Sequence, residues 1–339
     1  MAFLDDFYLL TSQPAREIYD AIKGLPIIDA HNHCDVKALS ENRKFQDIWE
    51  AEAATDHYVW ECLRKCNVPE ELITSGSSSN RDKWLALANA FELIAGNPTY
   101  EWIHLDLKRR LKIDLEINAQ NGAEIWDRSK EILGRDEMSQ QNLIKAMNVE
   151  CMCSTDDPAD TLEYHRALQS TPLSGVVKPT YRPDKAMNID RLDWNDYMDH
   201  LGERWNMKLD KFDELLEALR LAHDFFAENG CKASDHGVNV PYAYDVKKED
   251  AAAIFRKARR KKSLTEAETI AYKSYFLNYT AELDVEKDWV FQLHIGAVRD
   301  VRQSLFDKLG PDSGGDISDH LTDYISPLLP LLNRFDDRL

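Results

Sequence analysis

No run in this chain approaches the roughly 18 consecutive apolar residues that a bilayer crossing needs, so nothing reads as a membrane span. Positive charge is in short supply as well. Lys and Arg total 42 against 60 Asp and Glu, for a net charge of −18. That balance excludes bulk binding to nucleic acid and disfavours anionic membrane surfaces. The start, Met1-Ala2-Phe3-Leu4-Asp5-Asp6, is acidic and lacks the basic n-region of a secretory signal. No glycine-rich phosphate cradle, internal repeat or low-complexity tract is present. The six cysteines (Cys34, Cys62, Cys66, Cys151, Cys153 and Cys231) are scattered, which points to reduced thiols instead of a disulfide framework. These absences favour a cytoplasmic protein. An anionic ligand would need local arginines to overcome the overall field.

The 339 residues are 43% hydrophobic, enough for one large α/β domain or two smaller ones. Residues 15–23 read as a helix leading into an apolar strand, Leu25-Pro26-Ile27-Ile28-Asp29-Ala30, which looks buried. Residues 38–147 then lack a strand pattern and carry Trp, Leu, Lys and Glu at helical spacing. They read as an inserted helical subdomain, because ordinary connections are far shorter. Strand-like stretches recur at 149–154, 175–178, 233–238 and 289–295, with helices at 211–229 and 250–262 between them. Strands alternating with helices predict a parallel sheet. The expected division is 1–37 for the first helix and strand, 38–147 for the helical insertion, and 148–339 for the remaining strands, with a helical insertion at 245–288.

The strongest chemical signal is His31-Asn32-His33 at the end of the first strand. At i and i+2 of a strand, two imidazoles share a face and can hold one divalent metal. A strand ending in such a pair points to a barrel with its chemistry at the C-terminal ends of the strands. His57, in Asp56-His57-Tyr58-Val59-Trp60, reads either as a general acid or base or as a half-buried histidine among aromatics. His294, before Ile295-Gly296, suits a ligand or substrate contact, and His236, beside Asp235, is similar. Arg182 stands in the proline-bracketed turn Lys178-Pro179-Thr180-Tyr181-Arg182-Pro183, which aims its guanidinium, and Arg299 follows His294. Either arginine could grip a carboxylate or form a surface ion pair. His104, His165, His200, His223 and His320 read as structural. The basic run from Arg256 to Lys262 reads as a solvated helix end, and Ser263-Leu264-Thr265-Glu266 as the capping box of the next helix.

Taken together, these segments resemble the uronate isomerase (glucuronate isomerase) family of the amidohydrolase superfamily. The likeness runs through 25–33, 56–60, Thr180-Tyr181-Arg182-Pro183-Asp184-Lys185-Ala186, 233–237, 291–297 and Leu309-Gly310-Pro311-Asp312, in order along nearly the whole chain. The resemblance implies a distorted TIM barrel that interconverts D-glucuronate with D-fructuronate, and D-galacturonate with D-tagaturonate. It implies that His31 and His33 bind a divalent metal, zinc or alternatively manganese. His57 corresponds to the catalytic histidine with Tyr58 beside it, and Arg182, Arg299 and His294 to substrate-binding residues. The partner implied is a small anionic sugar acid, and the enzyme a homo-oligomer. The family's chain continues through strands six to eight, so this chain is expected to hold about strands one to five of a longer isomerase. Two other readings stay open: a metal-dependent hydrolase of the same superfamily, and an inactive truncated barrel.

Overall fold

The computed structural model describes residues 4–5, 7–318 and 321–339. His320 and residues 1–3 and 6 of the acidic start lie outside them. The chain divides into two compact units. One comprises 1–27, 41–149 and 299–316, and the other comprises 28–40, 150–298 and 317–339. The first helix and the segment 299–316 therefore group with the helical region, a grouping that sequence distance conceals.

The first unit is built of short, well-capped helices. Ser12 accepts the Ala15 N–H at the start of the Gln13–Ile22 helix, which has a proline in its first turn. The Asp56 side chain accepts both the Tyr58 and Val59 N–H groups and so begins the His57–Lys65 helix. Asn97 caps Pro98–Arg109 in the same way. Trp49, Trp84, Phe91, Leu107, Ile117 and Ile125 form the buried centre of this unit. Each such side chain is worth roughly 1.5–3 kcal/mol of burial. Trp84 also donates its indole N–H to the Gly122 carbonyl at 2.8 Å, which satisfies its one polar atom. A side chain at Gly122 would put a Cβ 2.8 Å from that of Ala88, so only glycine lets these two helices approach so closely.

The second unit carries the sheet. Besides a two-residue antiparallel pair, Ala297–Val298 with Ile317–Ser318, its strands are β1 (Ile27–Asp29, which begins in the first unit), β2 (Val149–Cys153), β3 (Val177–Lys178), β4 (Ala233–Val238) and β5 (Val290–Ile295). Strand order is β1-β2-β3 in one sheet and β4-β5 in another. β2 and β3 are parallel, with Met152 opposite Val177. β4 and β5 are parallel over their whole length, from Ala233 opposite Val290 to Val238 opposite Ile295. A parallel bridge between Tyr181 and Ser234 continues from the end of β3 to β4. Parallel strands joined through helices make this an α/β fold.

Two expectations are corrected here. β1 is not buried: Ile27 and Ile28 are 47% and 71% exposed, because β1 is an edge strand hydrogen-bonded only towards β2 among the described residues. The strand also ends at Asp29, so His31 and His33 lie in the loop beyond it.

Helices Trp194–Trp205, Phe212–Glu228, Lys248–Arg259 and Glu266–Lys287 share one core with Phe291 and Leu293 of β5. Strand alternation then turns Gln292 and His294 to the opposite face, level with Asp235 and Gly237 of β4. That choice of face puts His294 beside Asp235. The helix Glu266–Lys287 begins two residues later than its expected pattern. Thr265 and Glu268 form the box, and Lys257 holds the Glu268 carboxylate at 2.7 Å.

Candidate metal centre

The loop after β1 is folded back on its own strand. Asp29 accepts the His31 N–H through one oxygen at 3.3 Å and the Asn32 side-chain amide through the other at 2.9 Å. This brings His31 Nε2 and His33 Nε2 to 3.0 Å of each other. The pair is therefore assembled by a carboxylate-pinned loop and not by strand alternation. Burial, the largest influence, lowers both imidazoles below their ordinary pKa; for His31 the Asp235 carboxylate opposes it. Neutral imidazoles are the form that ligates a metal.

Asp235, from β4, is the centre of the cluster. It is fully buried, with Oδ1 2.6 Å from His294 Nδ1 and Oδ2 3.5 Å from His31 Nδ1 and 3.3 Å from Arg182 Nη1. Neither oxygen has a partner in hydrogen-bond geometry among the described residues, and nor does His31 Nδ1. A buried carboxylate with unsatisfied lone pairs is costly, and a cation among the ligands would resolve it. His31, Asp235 and His294 bring one ligand atom each within 4.8 Å of the others. Two histidine nitrogens 3.0 Å apart also fit a shared ion at the usual distance of about 2.0–2.1 Å. The residues thus suit a divalent metal by both donor type and spacing.

Arg182 is less free than its turn implied. Its Nε donates to Asp184 Oδ2 at 2.9 Å while Nη1 faces Asp235. Asp184 also accepts the Gly237 N–H at 2.9 Å. Burial pushes Asp184 up, against the downward pull of Arg182. Gly237 makes room for this arrangement, since a Cβ there would stand 2.5 Å from Arg182 Nη2.

Sequence reasoning named His236 and passed over Asp235, and the structure reverses their parts. His236 points into the core, fully buried, its ring 4.7 Å from that of Phe291. Ser234 Oγ donates to Asp284 Oδ2 at 2.5 Å and so accepts from His236 Nε2 at 3.1 Å, while His223 bonds the other Asp284 oxygen at 2.9 Å. The overlooked signal was period two: a ligand at His294 selects the register that carries Asp235 and Gly237.

Burial pulls His236 down to about 3, with Arg182 and His294 adding to the effect. Its folded pKa is below that of the unfolded chain. Stability is therefore full above about pH 6.5 and falls as the pH drops from there towards 3. His165, at about 4, and the neighbouring Asp156, raised by burial to about 6, act in opposite directions over part of that range. The expected result is a lower urea midpoint at pH 5 than at pH 7, with His236 contributing about 2 kcal/mol. In His236→Gln the difference should shrink; an unchanged pH dependence would refute the assignment.

His57, Tyr58 and Arg299 belong to the first unit. His57 and Tyr58 open their helix with rings 4.3 Å apart, and His57 Nε2 is buried with no partner among the described residues. Arg299 bonds Asp316 at 2.6 Å and stays 47% exposed. Burial works to lower its pKa, but the bonds with Asp316 outweigh that and leave it raised. Among the histidines read as structural, His104 is held between the Tyr100 carbonyl and the Ile117 N–H, and His165 bonds Ser154. His223 bonds Asp284, and His200 is exposed. In the basic run, Lys257 pairs with Glu268 and Arg259 with Asp199, around the end of the Lys248–Arg259 helix.

A profile of the family described as UxaC, glucuronate isomerase, matches residues 1–338. Among curated proteins, the chain is similar to the uronate isomerase of Thermotoga neapolitana, with 48% identity over 337 residues, covering 99% of this chain and 74% of that protein. A uronate isomerase from Caldicellulosiruptor saccharolyticus is 39% identical over 316 residues, covering 93% and 68%. Among solved structures, the uronate isomerase of Thermotoga maritima matches with a TM-score of 0.96 at 47% identity, over 100% of this chain and 74% of that one. The glucuronate isomerase of Caulobacter crescentus matches at 0.94 and 26% identity, over 100% and 73%.

Proposed function

This chain belongs to the glucuronate isomerase family, and we propose that its reaction takes place at the cluster of His31, His33, Asp235 and His294. It is a uronate isomerase, an aldose–ketose isomerase, and the substrate pairs we assign to it are D-glucuronate with D-fructuronate and D-galacturonate with D-tagaturonate. The hydrolase and inactive-remnant readings are not favoured, since the relatives reported above are named as isomerases.

The observation that carries the site assignment is the convergence of these side chains beyond β1 and on β4 and β5, on one face, around a buried carboxylate without hydrogen-bond partners among the described residues. In this reading the strands are part of a distorted barrel of the TIM type, whose chemistry lies at the C-terminal strand ends. A divalent metal held by His31 and His33, zinc or alternatively manganese, supplies positive charge that stabilises the oxygens of an enediolate when bound.

The proton balance is simple. A base takes the proton from C2 of the aldose and a proton is delivered to C1, while the O2 proton passes to O1. The aldehyde becomes a hydroxymethyl group and C2 becomes the ketone. His57 is assigned the acid–base role, with Tyr58 beside it. Imidazole suits that role, and the buried Nε2 of His57, without a partner among the described residues, supports it. Arg182 and Arg299 are assigned to the anionic substrate. Arg182 is aimed by two carboxylates, while Arg299, with one carboxylate partner and an exposed side chain, is the freer to grip a C6 carboxylate. His294 offers a half-exposed ring beside Asp235. Cytoplasmic location and a homo-oligomeric state complete the reading. Six unpaired cysteines support a reducing compartment.

The test is direct. The chain, folded and loaded with zinc or manganese, is incubated with D-glucuronate, and fructuronate formation is followed by NMR. Fructuronate should form while simple amides and lactones stay intact. A folded, metal-loaded chain without uronate turnover would overturn the proposal.

A further inference from the structure

Thr155 follows β2 directly and touches the metal-site loop. Its hydroxyl Oγ1 is 3.1 Å from the Asn32 carbonyl and 3.1 Å from His33 Nδ1. A threonine hydroxyl has one hydrogen and two lone pairs. A carbonyl can only accept, so the hydrogen goes to Asn32. Towards His33, Thr155 is then an acceptor, and Nδ1 must carry the ring's hydrogen. The reverse arrangement would leave the Asn32 carbonyl without this donor, at a cost of about 1 kcal/mol. It would also put a hydrogen on His33 Nε2, pointing it at His31 Nε2 3.0 Å away and leaving the His33 nitrogen no lone pair for a shared ion.

Thr155 is itself held firmly. The residues on either side are buried and anchored on the other face. Ser154 Oγ donates to Asp156 at 2.7 Å and accepts from His165 at 2.8 Å, and Asp156 takes the Thr180 N–H at 3.2 Å. Backbone bonds tie Ser154 to Lys178 and Asp156 to Thr180. With 154 and 156 turned inward, alternation presents the Thr155 side chain to the loop. The two histidines are thereby treated differently. His31 turns its Nδ1 towards a buried carboxylate, Asp235, and His33 turns its Nδ1 to a neutral hydroxyl.

We infer that Thr155 is a positioning residue that holds His33 as the Nδ1–H tautomer and directs its Nε2 lone pair at the metal. The inference rests on the metal site proposed above. Partners of this kind fix ring orientation and tautomer in metal centres, and their loss typically weakens metal binding about 10–100-fold.

Two measurements test it. In the metal-stripped chain, long-range ¹H–¹⁵N correlation of the imidazoles should show His33, assigned by its disappearance in His33→Gln, as the Nδ1–H form. An Nε2–H form would overturn the inference without any change at Thr155. Zinc affinity is then measured by chelator competition. Thr155→Val, close in shape, should weaken zinc about 10–100-fold, and Thr155→Ser, which keeps the hydroxyl, should stay within about threefold of the parent. Valine binding zinc as tightly as threonine would also overturn it. If Thr155→Val does not fold, the tautomer of the parent chain still decides. Failure of the metal-site reading looks different: His33→Gln itself would bind zinc as tightly as the parent.

Discussion

His31→Asn and His33→Asn are each expected to lose bound metal and to lower kcat/KM for glucuronate by about 10³-fold or more, with little change in stability. The two Nε2 atoms are 3.0 Å apart, so each substitution removes one imidazole of the pair. On the proposed mechanism, loss of the metal would remove positive charge worth several kcal/mol to an enediolate, and each 1.36 kcal/mol is tenfold in rate. Stability should change by less than about 1 kcal/mol, because His31 is partly exposed and His33 is exposed. Metal analysis of the purified variants, steady-state kinetics and urea unfolding separate these effects. Chelation of the parent chain should abolish turnover, and zinc or manganese should restore it. Activity persisting in a metal-free His31→Asn protein would refute the site.

Asp235→Asn should be nearly as damaging for a different reason. The substitution keeps the shape and removes one buried negative charge that faces His31, His294 and Arg182 together. His31 loses the carboxylate at its Nδ1, which weakens the ring as a ligand, and Arg182 loses one of its two carboxylates. We expect weaker metal binding and a fall in kcat/KM of about 10²–10⁴-fold. Breaking a buried pair typically costs about 3–5 kcal/mol. Here about 1–3 kcal/mol is expected, because Arg182 is 21% exposed and keeps Asp184. Zinc titration together with kinetics checks this. A variant that retains the parent's metal affinity and turnover would show that Asp235 is structural.

Much of this was legible along the chain because it depends on neighbours in sequence. Short apolar runs between turn residues marked β4 and β5 to within a residue, and the helix 211–229 was found as Phe212–Glu228. His31 and His33 were readable because two imidazoles so close in the chain cannot lie far apart in space. Their exact setting was not, since an extended strand and a loop pinned by Asp29 place the same pair together by different means.

Other features could be settled only by packing. Four consecutive residues of β4, Ala233 to His236, are buried, so exposure offers no pattern to say which face is functional. The packing of Phe291 and Leu293 against the helices decides it, sending His236 into the core and Asp235 to the site. Similarly, Asp235 meets His31 across some two hundred residues of chain, and Thr155 meets His33 across 122. The sequence by itself determined where the parallel strands and long helices form and which residue types are available for the proposed chemistry, because backbone preference and alternation act locally. Tertiary structure alone decided which carboxylate and which hydroxyl orient those histidines, because contacts between distant segments exist only once the strands have found their register.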